Sequence, residues 1–346
     1  MRSSYAKEDV IFLLKDITGM VQPQSTEERE RLIQSGKHYC EMLPIEYVPS
    51  QHYLKVYQEA LKNYAKPVAA AIGVLADKIV KTRGKHPVLV SLARAGTPIG
   101  ILLKRYLQWK YRIDVPHYSI SIIRGRGIDK NAMKFLLERF SASDLLFVDG
   151  WIGKGAIQNT LQEALRDFPG VDPELAVVAD PAGVTELYGT HEDLLIPSSC
   201  LNSTVSGLVS RTFLRDDVIK EGDFHGAVYY EELKDSDLSY EFIHAIESEF
   251  QQNSQTESRH LSCHGIEEVK ELAEKYQVRD VNFIKPGIGE TTRVLLRRVP
   301  WKVLVSEDDT GLASIKQLAK EKGVSVECYP LKNYKACGII KELSDV

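Results

Sequence analysis

The sequence predicts an α/β protein: a parallel sheet with helices on both faces, followed by a small C-terminal α/β/α sandwich. Three observations carry this expectation. Between Val88 and Val178, short apolar runs bounded by loop residues alternate with stretches of helical spacing, the pattern of strand–helix–strand units. The composition, 43% hydrophobic and 27% charged over 346 residues, lies in the globular range and suffices for one large core or two ordinary ones. After a polar stretch, the same alternation resumes in miniature near the C-terminus.

The elements follow in order. Leu54, Tyr57, Leu61, Tyr64, Val68, Ile72, Leu75 and Ile79 recur at three and four residues, so 51–82 is a helix, or a helix pair broken near Pro67. The expected strands are Val88–Leu92, Ser119–Ile123, Leu145–Val148 and Leu175–Val178, with helices at 97–109, 131–140 and 154–167. In such sheets, ligands bind beyond the carboxyl ends of the strands. The tail reads as helix 264–276, strand 279–284, helix 289–298, strand 302–306, helix 310–322, strand 324–328 and a short helix from Lys332.

Residues 247–258 (ESEFQQNSQTES) hold one aromatic and no aliphatic residue, the composition of a solvated linker. The expected division is therefore 1–246, a linker at 247–258, and 259–346. From Arg259 onward lie 15 of the 44 Lys and Arg and 13 of the 48 Asp and Glu, which makes the tail about +2 and the body about −6. That asymmetry hints at a polyanion-binding appendix. No apolar run is long enough for a membrane span or a signal peptide. Five widely spaced cysteines without CxxC suggest reduced thiols and a cytoplasmic protein.

Four loops are candidates for chemistry. In LLFVDGWIGKGAIQNTLQEAL (145–165), a strand ends in Asp149 and a glycine-rich loop leads into a helix. The amides of Ile152, Gly153, Lys154, Gly155 and Ala156 are then placed to bind a phosphate, with Lys154 adding charge and Asp149 reaching the sugar. The same glycines also suit a plain strand-to-helix turn. In SLARAGTPIG (91–100), Arg94, Ala95 and Gly96 stand one unit earlier in the sheet and would face a second anionic group, unless Arg94 makes a surface ion pair. In HYSISIIRGRGIDKNAM (117–133), Arg124 and Arg126 on glycine hinges suit a lid over pyrophosphate, or a solvated turn. In IPSSCLNSTVSG (196–207), Ser198, Ser199 and Asn202 line an acceptor pocket or serve as a capped loop.

Together these loops resemble the type I phosphoribosyltransferases over roughly 85–215. More narrowly, SLARAGTPIG, SIIRGRGIDKNA and VDGWIGKGAI look like the divergent phosphoribosyltransferase branch of bacterial tellurium-resistance-type stress gene clusters. The resemblance implies transfer of phosphoribose from PRPP to a base or small-molecule acceptor, with Mg²⁺ carried on PRPP. Asp149, Arg124 and Arg126 would be catalytic, and Asp149 would touch the metal only through PRPP. Two departures stand out: Gly150 replaces the family's second acid, and Ile152 its threonine.

NFIKPGIGETTRVLLRRVPWK (282–302) sets a helix start beside a basic strip, which suits a phosphodiester backbone or is simply a wet amphipathic face. GxxETT(K/R), followed by KACGII, resembles the Pelota and kink-turn-binding superfamily over 264–343. It implies RNA contacts by Lys285, Gly287, Gly289, Glu290, Thr291, Arg293 and Arg297. Two alternatives remain open beside transfer. One is a PRPP- or nucleotide-sensing RNA binder without turnover. The other is a cysteine protease, a label sometimes attached to proteins of this appearance, with Cys40 or Cys200 as nucleophile. Buried structural thiols are the competing reading of both cysteines. No membrane partner is expected, and a homodimer is left open.

Overall fold

The computed structural model describes residues 1–256, 264–307 and 311–340. In its first part, two short strands, β1 (Ile11–Phe12) and β2 (Lys15–Asp16), precede helix α1 (Thr26–Gln34), which Ser25 caps by accepting from Glu28 N. Helix α2 (Gln51–Arg83) is one unbroken rod of 33 residues, capped by Ser50 and running through Pro67. An interior proline costs about 3 kcal/mol. Burial of Tyr57, Leu61, Val68, Ile72, Leu75 and Ile79 along one face offsets that cost, so the helix does not break where the sequence left a choice.

Next come β3 (Val88–Ala93), α3 (Gly96–Tyr111), β4 (His117–Ile123), β5 (Gly127–Ile128), α4 (Lys130–Leu137), β6 (Leu145–Trp151), α5 (Ala156–Ala164), β7 (Leu175–Ala179), β8 (Tyr188–Thr190), β9 (Gly226–Ala227) and α6 (Ser239–Glu247). The main sheet has seven strands. Six run parallel in the order β1-β4-β3-β6-β7-β8, and β5 folds back antiparallel on β4. One apolar cluster joins α2, α3 and α6 to one face; α4 and α5 cover the other. The mixed α/β class with a parallel sheet covered on both sides is thus present. His117, 4% exposed, ties β3, β4 and the N-terminal segment together through Ser91 Oγ at 2.7 Å and the Asp9 carbonyl at 2.7 Å. Beyond α6, Phe250 stacks edge-on against Tyr106, with ring centroids 4.9 Å apart, and Thr256 Oγ1 donates to the Gly189 carbonyl.

The C-terminal part contains α7 (Gly265–Lys275), β10 (Ile284–Pro286), α8 (Ile288–Arg297), β11 (Pro300–Val305), α9 (Ala313–Glu321), β12 (Ser325–Cys328) and β13 (Ala336–Ile340). Its sheet order is β10-β13-β11-β12, with β13 antiparallel to both neighbours. The helix expected from Lys332 is therefore replaced by a strand: ACGII is buried at every position in the middle of the sheet. The two sheet units share a core, in which Leu295, Leu296, Val303 and Ile315 join the cluster of Tyr57 and Leu61. Helix α2 reaches across: Tyr53 hydroxyl donates to the Leu296 carbonyl, and His52 meets Glu321 at 3.2 Å. No helix among the described residues is long and apolar enough to cross a membrane.

Candidate active site

The loop after β6 is closed by the C-terminal unit. Lys154 Nζ donates to the carbonyls of Val281 (2.5 Å) and Ile284 (3.2 Å), and Tyr334 hydroxyl donates to the Gly153 carbonyl at 2.6 Å. Ile152 N is spent on the Ala179 carbonyl. Burial pushes the Asp149 carboxyl up to about 7, opposed by a bond from Gly150 N and by the charge of Arg293. Burial also pushes Lys154 down to about 8, helped by Lys285. The space left between Trp151, Gly153, Asp193, Ser199, Gly287 and Glu290 is about 10 Å³, room for about one water molecule.

The start of α8 faces inward as well. Asp193 is 5% exposed and accepts from Ile288 N with both oxygens, at 2.9 and 3.0 Å, and from Lys335 N at 2.9 Å. It occupies the anion position at the head of the helix. Gly287 packs on Asp193 and Gly289 on Ser199. Thr291 is fully buried, and Glu290 bonds Arg293 at 3.1 Å. Of the residues expected to contact RNA, Gly287 and Gly289 thus pack on the first unit, Thr291 is buried beside Lys285 and Gly338 of its own unit, and Glu290 stays half-buried. Lys285 is half-buried at its edge, and the side chain of Arg297 lies outside the described residues. Ser198 and Asn202 are half-buried in the turns before and after Cys200, and Ser199 belongs to the α8 contact. Gly96 lets α3 begin against β6, because a Cβ there would lie 2.4 Å from the Val148 carbonyl.

Arg124 and Arg126 instead converge on a short segment the motifs did not mark. His38 caps the turn Tyr39–Glu41, accepting from Cys40 N at 3.4 Å, and its Nδ1 lies 3.0 Å from Cys40 Sγ. Its Nε2 lies 3.0 Å from the Arg124 carbonyl. A carbonyl only accepts, so the ring proton sits on Nε2 and the Nδ1 lone pair faces the thiol. Tyr39 hydroxyl accepts from Arg124 N at 3.0 Å, and Arg126 pairs with Glu41 at 2.9 Å. Asp129 caps α4 and accepts from His225 N, which anchors the far end of this turn. Cys40 is fully buried, also 3.7 Å from the Leu214 carbonyl. Burial raises its thiol pKa, and burial lowers that of His38. The resting pair is therefore a neutral thiol beside a neutral imidazole. The readable signal was an imidazole two residues before a cysteine in KHYCEM.

Cys200 and Cys337 are buried and Cys328 is exposed on β12. Among the described residues, no group of three or more His, Cys, Asp or Glu is arranged to hold a metal ion. The Mg²⁺ expectation rested on PRPP as its carrier.

A family profile described as "Tellurite-like stress resistance cysteine protease StiP" matches residues 3–247, and one described as "PELOTA RNA binding domain" matches 263–342. A curated relative from Acinetobacter baylyi (strain ATCC 33305 / BD413 / ADP1), "Cysteine protease StiP", is 37% identical over 370 residues, covering 98% of this chain and 94% of the relative. These findings overturn the expectation of phosphoribosyl transfer, since profile and relative are both named for a cysteine protease. The chain belongs to the StiP family of tellurite-like stress resistance cysteine proteases.

Proposed function

We propose that the chain is a thiol hydrolase acting on peptide bonds in a stress response, with Cys40 as nucleophile and His38 as its base. The observation that carries this is the 3.0 Å contact between His38 Nδ1 and Cys40 Sγ, with the imidazole oriented from behind by the Arg124 carbonyl. Nucleophile, base and orienting group in line is the arrangement thiol catalysis needs. In the reaction, Sγ attacks the scissile carbonyl carbon and its proton passes to Nδ1. The departing amine takes that proton, leaving a thioester on Cys40. Water, deprotonated by Nδ1, then releases the acid and restores the thiol. Because burial keeps the proton on sulfur, the base has to act within the attack itself.

The thiol is covered, and displacement of the turn from Arg124 to Gly127, which is bonded to His38, Tyr39 and Glu41 around it, would open the way for substrate. That turn is held by the half-exposed Arg126–Glu41 pair and has Gly125 and Gly127 at positive φ. The test is a fluorogenic peptide library on the full chain: Cys40→Ser and His38→Ala should each lose at least a hundredfold in kcat/KM with unchanged circular dichroism, while Cys200→Ser keeps activity. Activity retained in Cys40→Ser removes the assignment.

For the C-terminal unit the reading is RNA association through a Pelota-type module, supported by the family match over 263–342. The aromatic group of Tyr276, Trp301 and Tyr329 offers a surface for it. Lys275 lies 4.1 Å over the Tyr329 ring, and Trp301 is 44% exposed beside a register shift in β11. Such a patch suits base stacking. The likeness to type I phosphoribosyltransferases is kept as a likeness of sheet architecture alone. The absence of CxxC among the widely spaced cysteines supports a reducing compartment, hence the cytoplasm.

A further inference from the structure

Near Cys40, two half-buried guanidinium groups and one buried phenol keep donors that no described residue takes up. Arg211 is half-buried; its guanidinium lies 5.0 Å from the Tyr39 ring centroid, and among the described residues it makes no hydrogen bond. Arg94, at the end of β3, donates one bond, from a terminal nitrogen to the Val209 carbonyl at 3.0 Å, and the rest of its fork is unused. Tyr230 is 5% exposed and its hydroxyl has no partner. The three groups belong to one neighbourhood. Arg94 bonds the Val209 carbonyl, Val209 bridges Tyr229, Tyr230 N donates to the Leu208 carbonyl, and Arg211, two residues beyond Val209, lies over the ring of Tyr39 next to Cys40.

Among the described residues, no carboxylate forms an ion pair with Arg94 or Arg211. Glu41 is paired with Arg126, and Glu46, the acid acting most strongly on Tyr230, accepts from Ser203 N and Oγ at 3.3 and 3.1 Å. Glu232 acts on Tyr230 more weakly than Arg94 does. Burial together with the charges of Arg29 and Arg94 depresses Arg211 to about 10. Buried charge of one sign is held in place by an ion of the other. Two guanidinium groups without an ion-pair partner among the described residues, near an orphaned phenol, offer free donors of the kind that bind the two oxygens of a carboxylate.

We propose that Arg211, Arg94 and the Tyr230 hydroxyl form a subsite for a substrate carboxylate, either an acidic side chain flanking the scissile bond or the free C-terminus of a peptide. The proposal takes its orientation from the assignment of Cys40 as nucleophile, and it makes the enzyme selective for anionic peptides. Binding is measured by calorimetry on full-length Cys40→Ala protein, so the outcome does not depend on turnover. The probes are a capped and amidated peptide with one Asp, its Asn isostere, the Asn peptide with a free C-terminus, and inorganic phosphate.

The Asp peptide or the free-carboxylate peptide should bind at least tenfold tighter than the neutral one, and whichever does so identifies the source of the carboxylate. Adding Arg211→Gln should erase that preference while leaving neutral-peptide affinity unchanged. Adding Tyr230→Phe, which keeps the ring packing, should weaken the preference severalfold and serves as the second reading if Arg211→Gln does not fold. Equal affinity for Asp and Asn peptides and for both C-termini would overturn the proposal, as would tight phosphate binding with no carboxylate preference. Loss of hydrolysis in Cys40→Ser with no carboxylate preference in Cys40→Ala separates failure of this subsite from failure of the thiol assignment.

Discussion

His117 offers a quantitative test of the buried polar framework at the start of β4. The Asp9 carbonyl at 2.7 Å requires the proton on Nδ1, so Nε2 accepts from Ser91 Oγ and the folded ring has no room for a second proton. Burial accordingly pushes its pKa down to about 4, against an ordinary value of 6.5. The folded pKa lies below the unfolded one, so the unfolded chain binds more protons as pH falls from 6.5 towards 4. This site's contribution is fully present above pH 6.5 and is lost through that window. At pH 7.5 the effect is negligible. At pH 4.5 the two constants give a loss of about 2.5 kcal/mol, from about 1.4 kcal/mol per pH unit. Urea denaturation of wild type and His117→Gln at both pH values isolates the site, because every other titrating group is common to the two. The variant pays a pH-independent repacking cost, and the wild type should lose about 2.5 kcal/mol more than it does on going to pH 4.5. Parallel pH dependence in the two proteins would refute the neutral, two-bond description of His117.

Two shorter tests concern the surfaces around the candidate sites. Arg126→Ala removes a half-exposed ion pair worth less than about 1 kcal/mol, so global stability should barely change while alkylation of Cys40 by iodoacetamide, followed by peptide mass spectrometry, accelerates severalfold. An unchanged alkylation rate means the Arg124–Gly127 turn is not the cover. Trp301→Ala should weaken binding of single-stranded RNA about tenfold in a filter assay, in line with about 1–3 kcal/mol for one stacked base, and equal affinity would move the RNA surface elsewhere.

The sheet was readable because its strands are short apolar runs between loop residues, and those survive as β3, β4, β6 and β7 with shifted ends. ACGII was not, since five buried residues in a row carry no period that separates a strand from a helix turn. Pro67 was a false stop, overruled by a buried face that exists only once α2 meets the sheet. The glycine loop after β6 reads the same whether it holds an anion or a neighbouring sheet unit. What decides is Val281, Ile284 and Tyr334, more than a hundred residues away. Likewise, half of the His38–Cys40 pair is local, but the carbonyl that orients it comes from Arg124, 86 positions further along.

Helix α2 has a thermodynamic consequence. A rod of 33 residues, about 50 Å long, presents one apolar face to the main sheet and to Leu295, Leu296 and Val303 of the C-terminal unit. Neither sheet can melt without stripping the rod that braces the other. Heating should therefore give one calorimetric endotherm with matching van't Hoff and calorimetric enthalpies. Cutting the chain after residue 256 would not liberate an independent fragment; it would leave a greasy flank on α2 and a product prone to precipitate.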